Sequence, residues 1–257
     1  MKINYLSMGL GLIMILNLLA CQKGDLLPEN LVPAPGNGKV KRILIFSSLD
    51  TNSLSWTVSE FEYDGSGRIS KTSSPMYHDG NIEGTISYDL YSYNNDNQLV
   101  KKENFNASTD SPTGFINLVN YYYLYSPAGK VIKETREYPQ PGFSEYYLYE
   151  YRNGLLNTTK FYNNKNQLET YTINHYDTSG RLIREVKYTA DGNAIYTTMH
   201  SYLGLLLIKS DIYQGGTHMR EILRSYDNNN NLSILESHEL VGYSSTSSYI
   251  LKYEYFE

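Results

Sequence analysis

Hydrophobic and polar residues alternate with a period of two over short stretches of this chain, and each stretch stops at a cluster of Gly, Asn, Asp, Ser or Pro. In 181–189, Leu182, Val186 and Tyr188 share one side and Arg181, Glu185 and Lys187 the other, with Arg184 intruding on the apolar side. In 167–176 one side carries Leu168, Thr170, Thr172, Asn174 and Tyr176, and the other Gln167, Glu169, Tyr171, Ile173 and His175, so neither side is dry. Counting the stretches between breakers predicts an all-β fold, a long antiparallel β-meander of about 16 strands of about 8–11 residues each. Twist accumulates in a sheet of that many strands until it curls, splits or closes, so a curled or spiralled repeat sheet is expected. No helix is predicted after the amino-terminal apolar run.

One motif recurs: Tyr, Asp or Asn, two variable residues, Gly or Asn, a long polar residue, then an aliphatic. Its clean copies are YDGSGRI at 63–69, YNNDNQL at 93–99, YSPAGKV at 125–131, YNNKNQL at 162–168, YDTSGRL at 176–182 and YDNNNNL at 226–232, with a looser YTADGNA at 188–194. The spacing is that of a three-residue hairpin loop, a type I turn followed by a residue in the left-handed region, where Gly is best and Asn second. Gly67, Asn97, Gly129, Asn166, Gly180 and Asn230 occupy that place. With those residues left-handed, Asp64 faces Arg68 and Asp177 faces Arg181. One step outward, Tyr63 faces Ile69, Tyr93 Leu99, Tyr125 Val131, Tyr162 Leu168, Tyr176 Leu182 and Tyr226 Leu232. Each aromatic–aliphatic pair is worth about 0.2–1 kcal/mol. Arg152-Asn153-Gly154-Leu155 shortens the device to a two-residue type I′ turn. Opposite-end breakers fall at 78–84, 109–114, 139–142, 215–216 and 244–248.

On these residues, above all Tyr176-Asp177 with Gly180-Arg181-Leu182, the chain resembles the YD-repeat, or Rhs-type, family over about residues 60–236. That resemblance implies a long β-meander wound into a spiral or shell, in secreted or cell-surface proteins of contact, adhesion or toxin packaging. The Asp-Pro-type self-cleavage segment of the large toxin members has no counterpart here, which leaves a small surface protein as the expectation.

Composition agrees with a half-wet β surface: of 257 residues 27 are Tyr, against 7 Phe and 1 Trp. A formal net charge of -5 gives no electrostatic footprint for nucleic acid or for an anionic membrane surface, and both are disfavoured as partners. At the amino terminus, Lys2 precedes an apolar run, Leu6–Ala20, that ends in Leu18-Leu19-Ala20-Cys21 and is too short for a spanning helix of about 20 residues. The pattern resembles bacterial lipoprotein signals, which implies cleavage before Cys21 and acylation of its sulfur, a stable anchor once more than one chain is attached. The expected organisation is a signal peptide at 1–20, the lipidated cysteine with a Pro- and Gly-rich tether at 21–38, and the repeat domain at 39–257. Cys21 is the only cysteine, so no disulfide forms within the chain.

Catalytic chemistry finds little support. His78, His175, His200, His218 and His238 match no metal spacing, and no loop has the carboxylate density of a calcium site, so neither metal nor cofactor is expected. No serine sits in a nucleophile elbow, and no carboxylate pair stands out. Tyrosines exceed what the turns use, and alternation puts Tyr147, Tyr149 and Tyr151 on one face, either as packing or as a stacking strip for a ligand. A transmembrane barrel conflicts with the basic residues on both faces of 181–189. The expectation is a non-enzymatic outer-membrane or cell-surface lipoprotein, held through Cys21 on the periplasmic or outer face, that presents a binding or scaffold surface to a protein or polysaccharide. A glycan-binding lipoprotein using exposed tyrosines ranks second and an unidentified hydrolase third.

Overall fold

The computed structural model describes residues 39–46, 55–78, 81–109, 111–139, 142–241 and 249–256, and every regular element within them is a strand. In order these are β1 (Val40–Phe46), β2 (Ser55–Tyr63), β3 (Ile69–His78), β4 (Asn81–Tyr93), β5 (Leu99–Ala107), β6 (Phe115–Tyr125), β7 (Val131–Glu137) and β8 (Ser144–Arg152). They continue as β9 (Leu155–Tyr162), β10 (Leu168–Tyr176), β11 (Leu182–Thr189), β12 (Ala194–Leu203), β13 (Leu206–Gln214), β14 (Thr217–Tyr226), β15 (Leu232–Glu239) and β16 (Tyr249–Tyr255). Each strand pairs antiparallel with the next. β16 pairs with β1, so the meander closes into a barrel rather than spiralling open. Along the seam Ile43 faces Tyr253 and Ile45 faces Leu251, and the Phe256 amide donates to the Lys39 carbonyl at 2.9 Å. Closure leaves no strand edge for another chain to pair with. Cys21 and the tether lie outside the described residues.

An even-stranded meander has two rims. The turns after the even-numbered strands form one of them, together with Lys39 and Phe256; we call it the clamp rim. On it, φ is 78° at Gly67, 61° at Asn97, 75° at Gly129, 78° at Gly180 and 61° at Asn230. The turn at Asp177 shows the chemistry: the Gly180 amide donates to the Asp177 carbonyl at 3.0 Å and the Asp177 amide to the Arg181 carbonyl at 2.9 Å. Asp177 Oδ1 accepts from the Ser179 and Arg181 amides, and Oδ2 from Arg181 Nε at 2.6 Å. Asn94 offers the same Oδ1 acceptor to Asp96 and Gln98 without a charge.

Asn166 also has positive φ, 60°, but its turn joins β9 to β10 and so lies on the far rim. The copy at 162–168 thus forms the expected turn, with Tyr162 opposite Leu168, but at the other end of the barrel from the other clean copies. Only one strand, β10, separates this turn from the one at 177–181, and consecutive turns of a meander fall at opposite ends.

Within a strand alternate residues share a face, and residues directly opposite across a ladder share it too. Register therefore traces two continuous faces round the barrel. One carries both hydrophobic clusters: Val40, Ile43, Phe61, Ile222, Leu232, Leu235, Leu251 and Tyr253 across the seam, and Leu99, Tyr123, Val131, Tyr149 and Leu156 across β5–β9.

Candidate functional site

The clamp rim takes its name from tyrosine hydroxyls. Tyr63 donates to the carbonyl of Val40, Tyr93 to Ile69, Tyr125 to Leu99, Tyr151 to Val131, Tyr176 to Leu156, Tyr202 to Leu182, Tyr226 to Leu207 and Tyr255 to Leu232, all at 2.7–2.9 Å. Every even-numbered strand supplies one tyrosine and every odd-numbered strand one carbonyl. Each tyrosine also stands directly opposite an aliphatic of the following strand, as Tyr176 does opposite Leu182 and Tyr255 opposite Val40. Each aliphatic is thus flanked by two tyrosines, and the circle closes on itself.

The long polar residue of the motif has a role as well. Arg68 lies over the Tyr93 ring at 4.5 Å, Lys130 over Tyr151 at 5.3 Å and Arg181 over Tyr202 at 5.3 Å, while Lys39 lies over Tyr63 at 5.2 Å. In each case the cation immediately precedes the residue whose carbonyl that tyrosine binds, so it caps the ring from the rim side.

Tyr147, Tyr149 and Tyr151 do share a face, but they do not form an exposed strip. Tyr149 is 8% exposed and packs with Leu99, Val131 and Leu156, and its hydroxyl donates to Glu134 Oε2 at 3.2 Å. Burial, with the Glu134 carboxylate adding to it, lifts this phenol well above its ordinary range. Tyr147 packs against Phe161, with Arg136 at 4.5 Å from its ring centre. Tyr151 is one of the clamps. The surrounding ladder uses up the ring faces that a ligand needs.

A buried polar chain that the alternation pattern did not reveal crosses β11–β14 on the same face. Arg224 Nη1 donates to Ser210 Oγ at 2.9 Å, Ser210 Oγ lies 2.9 Å from His200 Nδ1, and His200 Nε2 lies 2.9 Å from Glu185 Oε2. With Nδ1 assigned as acceptor from Ser210 and Nε2 as donor to Glu185, donors and acceptors run in one direction from guanidinium to carboxylate. Ser, His and an acid in hydrogen-bonded succession also occur in hydrolases. Ser210, however, is 2% exposed and already accepts from Arg224, which seals its hydroxyl away from a substrate. The chain links four strands through desolvated charge. Among the described residues no three His, Cys, Asp or Glu converge as a metal site.

Among the described residues, a recess of about 470 Å³ lies near the far rim, lined by Arg184, Tyr196, Thr197, Met199, Tyr213 and the Gly215–Gly216 turn. The Tyr213 ring stacks on His218 at 4.7 Å, which fixes it as a wall. A guanidinium, a hydroxyl and aromatic surface together suit a small anionic or hydroxyl-rich ligand.

No protein-family model matches the chain, and no curated protein matches it. Among solved structures it is similar to a porin-like protein from Bacteroides uniformis ATCC 8492, at 10% identity and a TM-score of 0.55, over 86% of this chain and 99% of that one. It is also similar to a porin-like protein from Bacteroides vulgatus ATCC 8482, at 12% identity and a TM-score of 0.39, again over 86% and 99%. The first likeness is one of fold.

Proposed function

We propose that this chain is a lipoprotein of a Gram-negative outer membrane, acylated at Cys21, which displays its barrel in water as a non-catalytic binding or scaffold shell. The observation that carries this reading is charge on both faces. One face holds the pairs Lys101–Glu103, Lys160–Glu150 and Arg42–Glu254, and Lys209 between Asp211 and Glu221. The other holds Lys102–Asp89, Arg136–Glu134, Arg220–Glu239 and the Arg224 chain. Whichever face points outward, several Lys and Arg would meet hydrocarbon in a spanning barrel, at about 2–4 kcal/mol each near the midplane. Sixteen closed strands are compatible with a porin-sized lumen, but this surface belongs in water.

Attachment then falls to Cys21. The 17 residues between it and Lys39 reach at most about 60 Å when extended. The circle of tyrosine–aliphatic pairs supports grouping the domain with YD-repeat β-meanders. Two measurements test the anchor: the mass of the mature protein, expected to show acylated Cys21, and fractionation of Cys21→Ala, expected to leave the membrane pellet. An unmodified Cys21 in a protein that only detergent extracts would overturn the reading in favour of an integral barrel.

A glycan-binding reading draws support from the recess at Arg184 and Tyr213, not from the buried tyrosines. Binding to an array of acidic polysaccharides that Arg184→Ala and Tyr213→Ala both abolish is its expected signature, and a silent array removes it.

A further inference from the structure

The structure assigns a second membrane contact to the β12–β13 turn, whose Leu203 and Leu205 enter the lipid surface that the Cys21 anchor keeps within reach of the clamp rim. This rests on the anchored reading above. No other described turn of that rim carries a large apolar residue at its tip: Asp64–Arg68, Asn94–Gln98, Ser126–Lys130, Asn153-Gly154, Asp177–Arg181 and Asp227–Asn231. The β12–β13 turn reads Leu203-Gly204-Leu205-Leu206, with Leu203 69% and Leu205 85% exposed.

The leucines are presented by a fixed turn. Gly204 has φ +61°, with Leu205 outside the left-handed region, which matches the glycine-first two-residue hairpin turn. Arg181 Nη1, reaching over from the neighbouring turn, donates to the Gly204 carbonyl at 2.6 Å. A single exposed leucine is ordinary in a soluble protein. Two at the tip of one braced turn form the pattern of a segment that dips into a headgroup layer. Arg181, paired with Asp177, serves as the brace, and the exposed Arg152, two turns along the same rim, is the cation able to meet lipid phosphates.

Placement singles out a lipid surface over a protein partner. Lys39, where the tether joins the barrel, lies on this same rim, so of the two rims this is the one nearer the Cys21 anchor, and a tether of up to about 60 Å lets it reach the bilayer. Phe256, 48% exposed beside Lys39, adds a second apolar contact on the same side.

The test uses the mature acylated chain, in which lipid consumes the Cys21 thiol. Leu205→Cys, and separately Lys165→Cys on the far rim, is labelled with an environment-sensitive fluorophore and reconstituted into vesicles of phosphatidylethanolamine and phosphatidylglycerol. Emission from position 205 is expected to shift to the blue and to be quenched by brominated lipid, with position 165 unchanged. Water-like emission at 205 overturns the proposal, as does a shift seen in native outer membranes but not in pure lipid. Mass analysis of the same preparation reads the anchor independently. If Cys21 is unmodified, the anchored reading fails, and Leu205→Cys labelled in a Cys21→Ala chain, where no second thiol takes the dye, is added to preformed vesicles. A blue shift there preserves the leucine contact, and its absence removes that too. Leu203→Ser with Leu205→Ser should keep the wild-type melting temperature, because both side chains are already in solvent.

Discussion

The Tyr63 hydroxyl donates to the Val40 carbonyl at 2.8 Å, and this bond carries the tyrosine circle across the seam between the first and last strands. Val40 is fully buried and faces Tyr255 on its other side, so one aliphatic is gripped by tyrosines almost two hundred residues apart. Burial pushes the Tyr63 phenol up to about 12. A phenolate cannot donate this bond. Because the folded value lies above the ordinary 10.0, the stabilisation is whole below pH 10 and is lost as pH rises through about 12. Alkaline unfolding followed by tyrosinate absorbance should therefore show a shallower loss of stability for Tyr63→Phe than for the wild type above pH 10.

Tyr176 and Tyr162 occupy the same place in two copies of the motif, yet only Tyr176 clamps. Its hydroxyl donates to the Leu156 carbonyl at 2.7 Å, whereas Tyr162, on the far rim, stacks on Tyr146 at 4.8 Å. Tyr176→Phe should cost about 0.5–1.5 kcal/mol in urea unfolding and Tyr162→Phe close to nothing. Equal costs would show that the hydroxyls do not distinguish the rims.

Gly180 has open space around its missing Cβ, the nearest atom being Leu155 Cδ1 at 4.0 Å, so only backbone strain opposes a side chain there. Gly180→Ala should destabilise by about 1–2 kcal/mol. Gly180→Asn should cost less than half of that, because Asn97 and Asn230 hold the same conformation natively. Paired thermal melts of the two variants check the order.

Asp177 sits below its ordinary carboxylate value because the Arg181 amide and then the Arg181 side chain bond to its charged form. A lowered folded value means the stabilisation is present above 3.8 and is lost as pH falls through the folded value. Asp177→Asn keeps the Oδ1 acceptor, as Asn94 shows, and removes the charge. Its melting temperature should fall below that of the wild type at neutral pH and converge with it in strong acid.

Ser210→Ala removes the oxygen that joins Arg224 to His200. With both partners buried, the loss should be about 1–3 kcal/mol, larger than for an exposed serine such as Ser225. His200→Phe should not rescue it, since Arg224 and Glu185 would still lack their link. Calorimetric melts of the single and double variants decide the matter.

Turn chemistry made much of the fold legible, because a left-handed position admits few residue types and Gly67, Asn97 and their counterparts announce it locally. The hydroxyl partners were hidden for a geometric reason. Each tyrosine binds the strand behind it, not the one ahead with which its motif pairs it. Tyr151 and Tyr202 escaped the motif because two-residue turns follow them, and Tyr255 because its mate, Val40, lies at the other end of the domain. Closure depends on summed twist, which no single segment encodes. Alternation placed Tyr147, Tyr149 and Tyr151 on a common face but could not say that Leu99 and Val131 already cover it. Glu185, His200, Ser210 and Arg224 look like solvent positions of four separate strands. Only register shows them in line.

Because each clamp needs one even-numbered strand and the odd-numbered strand behind it, the unit of construction is the hairpin. A relative could gain or lose a whole hairpin and reseal with every hydroxyl satisfied. Gain or loss of a single strand would leave one tyrosine facing a carbonyl of the wrong polarity and put the last strand parallel to the first, so barrels built on this plan should vary in circumference only by twos.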